Sequence, residues 1–339
     1  MNGFQRIACI LRIIREKDVV VRVGQNEFGC SGTRVYAEKS LRGKSVKRFE
    51  TIVVSLLFLP FGQLFFAFED CGKTFSGYDF SDAFDDGDFQ PGMIPYLVED
   101  QSQVKGNIIV CSGGGDRARS NDYEGVPACE YYNSIGYNAF LLNYRVAPYE
   151  TVDATLDLQR AIRYLKHYGE QQGIGSLDKI ATMGFSAGAM HCYAQALAFG
   201  GAITPDQIYE DYTCDEVDEE NADVAAVMAI YAAGMPHDAS GNAIDVKEPV
   251  LVPKMAEDGE EQLPAFFFAG ASGHFASGFC VKAYEALNDL TTCELHMYGG
   301  ISKPFGMGYE FAGSDEMTSQ IETFLDVQFG YRPLENEVE

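Results

Sequence analysis

The chain contains no tryptophan, few basic residues and no cysteine spacing typical of a metal site. It has 25 Lys and Arg against 50 Asp and Glu, for a formal net charge of −25 at pH 7. A body this acidic repels nucleic acid and anionic membranes. The 9 cysteines are odd in number and include no C-x-x-C pair, so reduced thiols fit better than disulfides or a zinc site. The absence of Trp weakens any aromatic platform for polysaccharide. We expect a cytoplasmic protein without a metal ion.

The positive charge is concentrated at the N-terminus. Residues 1–50 hold 11 Lys and Arg against 5 Asp and Glu, so the remainder carries 14 against 45. An acidic surface of this kind favours neutral or cationic ligands over anionic ones. Solubility alone is, however, a sufficient reason for the charge. We expect residues 1–50 to form a basic, poorly ordered extension, with an accessory arm as the alternative, although Val19–Val23 has the composition of a strand. The polar tail, residues 331–339, is expected to fray.

The one long hydrophobic run, residues 51–68, is interrupted by Pro60 and Gly62. These residues would break a membrane-spanning helix, and the residues on both sides are β-branched or aromatic. We therefore favour a hairpin of two strands that opens a domain over residues 51–330. The alternative is a signal anchor preceded by the positive charges of Lys44 to Arg48, which would make the protein membrane-anchored or secreted.

From Gly106 onward, short apolar strands alternate with helical stretches, which predicts a mainly parallel sheet covered by helices on both faces. Residues 69–104 are predicted to be a loop-rich lead into this sheet, and the acidic triplet Asp85, Asp86 and Asp88 to be a solvated turn and not a calcium site. Residues 206–223 are strongly acidic and predict a solvated excursion. Residues 232–262 are the natural place for a small cap over a pocket.

Two glycine-rich turns carry the chemistry. Gly184–Gly188 has the pattern G-x-S-x-G between an apolar strand and an Ala-rich helical stretch, which is the arrangement of a nucleophile elbow with Ser186 exposed on a strained turn. A second turn, Ser112–Gly115, follows the apolar strand that ends at Cys111. Such a turn lets backbone N–H groups approach a substrate carbonyl. The predicted oxyanion donors are the amides of Gly113, Gly114, Gly115 and Ala187.

These motifs resemble a known family. The matching segments are Cys111–Gly115, Glu124–Pro127, Gly136–Pro148, Asp157–Leu165 and Gly184–Gly188. Together they are similar to the acetyl-xylan and feruloyl esterase-like carbohydrate esterases, on the hormone-sensitive-lipase side of the α/β-hydrolase superfamily. The resemblance runs from about Gly106 to Leu325 and implies an α/β-hydrolase fold, a Ser–Asp–His triad and hydrolysis of small acyl esters, often on sugars. It implies no metal or organic cofactor.

The second half departs from the family pattern. The loop that should carry the triad Asp reads Ala271–Phe275 and contains no carboxylate, with Ser272 at the acid position. The loop that should carry the triad His reads Gly299–Gly306, with Lys303 nearest the histidine position. Because a serine hydroxyl is a poor nucleophile without a positioned base, these two losses predict weak turnover.

Two residues are the leading candidates for the missing base. Lys303 could serve in a Ser–Lys arrangement if its amine is desolvated, and His274 could reach Ser186 from the acid loop. His296 is a weaker candidate, and the other histidines are expected to be structural or exposed. The sequence thus predicts an esterase of small carboxylic esters, such as acetylated sugars. The alternative is a pseudoenzyme that uses the same pocket to bind a ligand or a partner.

Overall fold

The computed structural model describes residues 19–24, 34–39, 51–55, 85, 89–199, 203–232, 234, 263–301, 307 and 314–333. The chain divides into two units, Met1–Tyr78 and Asp79–Glu339. The first unit contains a three-stranded antiparallel sheet of β1 (Val19–Gly24), β2 (Arg34–Lys39) and β3 (Thr51–Ser55), with β2 in the centre. The strand predicted at Val19–Val23 is therefore confirmed.

The boundary between the units differs from the predicted one at residue 51. Thr51–Ser55 pairs with Arg34–Lys39, so this strand belongs to the N-terminal sheet and the division falls after Tyr78. The rest of the hydrophobic run, residues 56–68, lies outside the described residues. No helix in the part of the chain that the structure describes is both long and apolar enough to cross a membrane.

The second unit is built on a seven-stranded sheet with the order β10–β9–β8–β7–β5–β6–β4. Neighbouring strands are parallel except for β4, which runs antiparallel to β6. The strands are β4 (Gly92–Tyr96), β5 (Asn107–Cys111), β6 (Asn138–Asn143), β7 (Ile180–Phe185), β8 (Ala226–Ile230), β9 (Ala265–Ala271) and β10 (Cys293–Tyr298).

Five α-helices are described, and they cover both faces of the sheet. They are α1 (Val126–Ser134), α2 (Thr151–Tyr168), α3 (Ala187–Ala194), α4 (Ser277–Leu287) and α5 (Ser314–Gln328). Alternate residues of β9 point to opposite faces: Phe266 and Phe268 pack on Tyr193 of α3, whereas Phe267 packs on Phe324 of α5. The central strands are therefore buried on both sides, which explains their continuous apolar sequences.

Several segments differ from the sequence predictions. The lead-in predicted as loop contains β4, whose Pro95 is tolerated because this strand lies at the sheet edge. Asp85 was predicted in a solvated turn, but its carboxylate is buried and bonds both terminal nitrogens of Arg119 at 2.7 and 3.0 Å. Tyr331, in the predicted frayed tail, donates its hydroxyl to the carbonyl of Lys105 at 2.9 Å.

The acidic excursion is anchored to the domain. Arg160 of α2 forms two hydrogen bonds with Asp215, at 2.6 and 2.7 Å, and also contacts Asp218, whose side chain is buried. The amide of Gln195 donates to the carbonyl of Ala222 at 2.8 Å. The segment is thus solvated on one side only. The predicted cap, residues 232–262, lies outside the described residues except for Ala232 and Gly234.

Candidate active site

The candidate site lies where the connections of the sheet change direction. From β5 the chain passes through α1 to its neighbour β6, and from β7, on the other side of β5, it passes through α3 to β8. The chain therefore leaves the carboxyl ends of these two neighbouring strands in opposite directions, which is the arrangement that forms a crevice in a parallel sheet. Crevices of this kind are the usual ligand sites of parallel sheets.

Ser186 occupies the turn between β7 and α3. Its backbone adopts φ 53° and ψ −114°, a conformation that non-glycine residues rarely take. Its N–H donates to the carbonyl of Ile230 at 2.9 Å, and its own carbonyl accepts from Met190 at 3.3 Å, which fixes the turn to β8 and α3. Ser186 is partly exposed although all of β7 is buried. The sequence therefore forms the strained strand–turn–helix that presents a serine hydroxyl at the start of a helix.

The glycine-rich turn after β5 packs directly against this elbow. A Cβ atom on Gly113 would lie 2.8 Å from Ser186 Cβ and 2.8 Å from the carbonyl oxygen of Phe185. From the other side, a Cβ atom on Gly188 would overlap the carbonyl of Cys111. Only glycine permits such an approach of two backbones. The two turns singled out in the sequence thus meet at one point.

Glu124 lies between Gly113 and Tyr231, next to the turn at Ser186, and is almost completely buried. Its Oε2 accepts the N–H of Gly113 at 2.5 Å, and its Oε1 accepts the hydroxyl of Tyr231, the residue after β8, at 2.5 Å. Both Glu124 Oε2 and Ser186 Cβ lie within 3.0 Å of the point where a Gly113 Cβ would stand, so the carboxylate is less than 6 Å from the serine side chain. Desolvation raises the pKa of Glu124 to about 7, against the opposing effect of its two hydrogen bonds.

This contact corrects one of the predicted oxyanion donors. The amide of Gly113 already donates to Glu124, so it does not face an incoming carbonyl oxygen. The remaining candidates are Gly114 and Gly115 in the loop and Ala187 at the first position of α3. Glu124 had no assigned role in the sequence. The only sequence signal for it was its place in Glu124–Pro127, one of the segments that match the esterase family.

The far end of the same loop is held by a second buried group. His191 of α3 is inaccessible to solvent, and its Nε2 lies 2.9 Å from Asp116 Oδ1. Its Nδ1 lies 3.1 Å from the hydroxyl of Thr155, and Asp116 also accepts the hydroxyl of Thr151 at 3.0 Å. Asp116 directly follows Gly115 and has φ 56°, a left-handed conformation that these bonds help to maintain.

Ser272, at the predicted acid position, joins two loops through uncharged groups. Its N–H donates to the carbonyl of Tyr298 at 2.9 Å, and its hydroxyl accepts the N–H of Gly300 at 3.2 Å. The side chain is exposed at this point. A hydroxyl cannot supply the negative charge with which a triad acid orients and stabilises an imidazolium.

His274 is buried beside Tyr231, with the two ring centroids 5.3 Å apart. Burial lowers its pKa, which favours the neutral ring. The backbone N–H of Ala276 donates to Nδ1 at 3.2 Å, so in the neutral ring the proton resides on Nε2. A nitrogen that already carries a proton cannot accept one from serine. In this arrangement His274 is a donor, which disfavours it as the general base.

The remaining candidates have other partners or lie outside the described residues. Lys303 and His237 are not among the described residues. The Nε2 of His296 lies 2.9 Å from Glu294 on β10, and the Nδ1 of His167 lies 3.0 Å from Glu220. These last two histidines each contact a glutamate that is not part of the site.

Two cysteines lie beneath the elbow. Cys111 ends β5 and Cys192 belongs to α3, and both are free thiols with no solvent exposure. A hydrogen bond with Cys192, together with burial, raises the pKa of Cys111 well above its ordinary value. The Cys111 thiol is therefore held in its unreactive protonated form, because the thiolate is the nucleophile.

Comparison with known proteins gives matches at the level of structure. No protein-family model and no curated protein matches the sequence. The acetyl ester-xyloside bifunctional hydrolase of Caldicellulosiruptor lactoaceticus is 26% identical, with a TM-score of 0.56 over 70% of this chain and 88% of that one. A thermophilic esterase of Thermogutta terrifontis, solved with propionate, is 20% identical with a TM-score of 0.55 over 74% and 93%. The same esterase phosphorylated by paraoxon has 17% sequence identity to this chain and a TM-score of 0.54. The chain therefore has the α/β-hydrolase fold, and these similar solved structures are ester hydrolases.

Proposed function

We propose that this protein is a serine esterase that acts on small carboxylic esters, with Ser186 as nucleophile. The observation that carries the proposal is the contact of the two glycine-dependent turns, which brings Gly113 against a Ser186 in a strained φ 53° conformation. Such strain is costly and persists where the surrounding structure enforces it, commonly at functional sites. The solved neighbour at 26% identity, which acts on an acetyl ester and a xyloside, supports the same reaction class.

In the proposed reaction, the Ser186 hydroxyl adds to the ester carbonyl as a base removes its proton. The oxygen of the tetrahedral intermediate would accept hydrogen bonds from the N–H groups of Ala187 and of Gly114 or Gly115. Collapse of the intermediate would release the alcohol and leave an acyl-serine. Water then hydrolyses the acyl-serine and restores the hydroxyl. Lys303 and His274 are the two candidate bases. The Nδ1 of His274 accepts the N–H of Ala276, so its Nε2 carries the ring proton and is not free to accept one from Ser186. We therefore place Lys303 first.

The substrate class follows from charge and from the neighbour. The chain carries 50 acidic residues against 25 basic ones, so a neutral ester, such as an acetylated sugar, meets no long-range repulsion. The acetyl ester-xyloside hydrolase among the structural neighbours makes acetylated sugars the first group to assay.

One observation favours a second function, a pseudoenzyme that binds a ligand or partner in the same crevice. Ser272 stands at the acid position, where its hydroxyl bridges to Gly300 instead of carrying charge. Binding by the elbow and the glycine-rich turn would survive this loss, whereas turnover would be weak.

Labelling with a fluorophosphonate separates the two functions. We expect the probe to label the wild type and not Ser186→Ala, while the exposed control Ser102→Ala labels like the wild type. Labelling should increase from pH 6 to pH 10 if a lysine is the base, and Lys303→Ala should then abolish it while His274→Ala should not. No labelling of the folded wild type at any of these pH values would contradict the esterase and support the pseudoenzyme.

A further inference from the structure

We propose that Glu124 and His191 are positioning residues that fix the glycine-rich loop from both ends relative to the nucleophile. The inference rests on the proposed esterase function. It deepens that function by assigning two side chains that hold the oxyanion donors without touching the substrate. The loop in question, residues 113–116, begins at Gly113 and ends at Asp116.

At the first end, Glu124 ties the loop to the strand end beside the elbow. It accepts the Gly113 N–H through one carboxylate oxygen and the Tyr231 hydroxyl through the other. Tyr231 directly follows Ile230, whose carbonyl accepts the N–H of Ser186. The first residue of the loop and the nucleophile are therefore held to the same strand end, β8, by short polar contacts.

At the second end, His191 ties the loop to the helix that begins at the elbow. Its Nε2 contacts Asp116 at 2.9 Å, and its Nδ1 contacts Thr155 of α2 at 3.1 Å. His191 lies one helical turn after Ala187, so a fixed Asp116 also fixes the preceding Gly115 relative to the Ala187 amide. These amides are the donors that the proposed reaction needs.

The benefit of such a clamp is preorganisation. Amide donors stabilise an oxyanion well only if they are already oriented when charge develops, and loss of one donor in other enzymes costs about 100- to 1,000-fold in kcat. A donor loosened by loss of its support should cost less than a donor removed. Because the donors act on the transition state, the loss should fall on kcat more than on KM.

The kinetic experiment compares conservative and truncating variants with an acetyl ester such as 4-nitrophenyl acetate. Gln at position 124 still accepts the Gly113 N–H, so Glu124→Gln should retain kcat within about threefold while Glu124→Ala loses about tenfold or more. Likewise, His191→Gln should be milder than His191→Leu, with KM nearly constant in all four variants. Glu170→Gln and His167→Gln, at exposed or ion-paired positions away from the crevice, serve as matched controls. Equal kcat for the Gln and truncated variants, at either position, would overturn the proposal.

A spectroscopic experiment tests the Glu124 contact without any turnover. In protein labelled with 15N-glycine, the Gly113 amide proton should resonate far downfield, because it donates to a carboxyl group at 2.5 Å. Its shift should titrate with Glu124, near pH 7. Among the described residues the titratable groups that face Glu124 are Tyr231 and Tyr144, and the ring of His274 lies 5.3 Å from the ring of Tyr231.

The two failures are distinguishable. If the wild type shows no labelling and no turnover but the downfield amide is present and stops titrating in Glu124→Gln, the esterase function fails and the clamp at this end stands. If the glycine spectra of wild type and Glu124→Gln are identical throughout the titration, the clamp is wrong whatever the activity.

Discussion

The carboxyl group of Glu124 is a buried acid whose protonation is coupled to folding. Desolvation raises its pKa from an ordinary value of 4.5 to about 7. Because the folded state holds this proton more tightly than the unfolded state, the carboxyl group contributes stability that is complete below pH 4.5. That stability is lost as the pH rises towards 7. The position thus makes the domain less stable at neutral pH than an uncharged isostere would.

This linkage predicts a pH-dependent effect of Glu124→Gln. The free energy of unfolding of the variant, relative to wild type, should increase between pH 4.5 and 7.5 by up to about 3 kcal/mol. Urea unfolding of both proteins at four pH values across this range measures the difference. For Glu170→Gln, whose side chain is exposed, the difference in the free energy of unfolding from wild type should not change with pH. A constant difference for Glu124→Gln would show that its carboxyl group does not change its protonation in this window.

At the level of residues, local patterns were predictable and long-range partners were not. Ser186 and the 113–115 turn were found because each is a short motif with a backbone reason for its glycines. The role of Glu124 and the partner of His191 were not predictable because the partners lie far away in sequence: Tyr231 is 107 positions from Glu124, and Asp116 is 75 from His191. A single sequence does not reveal which buried charges will meet.

At the level of elements, the loops after β9 and β10 are the ones that lack the acid and the histidine of the predicted triad. Ser272 in the first loop already bonds the N–H of Gly300 in the second, so an aspartate at position 272 could accept the same N–H. The sequence match puts the histidine position of the second loop at Lys303. Restoring both residue types should therefore rebuild a triad around Ser186.

We expect the double variant Ser272→Asp, Lys303→His to raise kcat/KM for 4-nitrophenyl acetate at least about tenfold, since a positioned general base contributes roughly 100- to 10,000-fold. Each single variant should gain less, because base and acid act as a unit. Adding Ser186→Ala must abolish the gain. A folded double variant without any gain would show that positions 272 and 303 do not correspond to the triad positions.

The element predictions succeeded where the hydrophobic pattern was continuous. The alternation of apolar strands and helical stretches after Gly106 predicted the mainly parallel sheet and the helices on both of its faces, and both are observed. The strand β4 was missed because Pro95 and Gly92 indicate a turn, whereas a sheet edge tolerates both. The boundary at residue 51 failed because strand pairing of Thr51–Ser55 with Arg34–Lys39 is not visible in composition.

At the level of the whole molecule, the charge balance favours the approach of cationic over anionic ligands. Outside residues 1–50 the chain carries 14 basic against 45 acidic residues, so its field attracts cations and repels anions. Salt at 0.15 M reduces the reach of that field to about 8 Å. Selectivity among charged esters should therefore depend on ionic strength.

We expect kcat/KM for an anionic acetate ester to rise several-fold between 10 and 300 mM NaCl, because repulsion is screened. For a cationic acetate ester it should fall, and for a neutral one it should change little. Steady-state assays with three esters of similar size provide the measurement. Parallel salt responses of all three would mean that the acidic surface does not influence the crevice.

The buried thiols of Cys111 and Cys192 can be used to measure how often the turn at Ser186 opens. A water-soluble alkylating reagent cannot reach either sulfur while α3 packs against the end of β5. Modification must wait for a fluctuation that separates the two, so its rate follows the free energy of that local opening. The rate at which the two native cysteines are alkylated therefore measures how rigidly the turn that carries Ser186 is held.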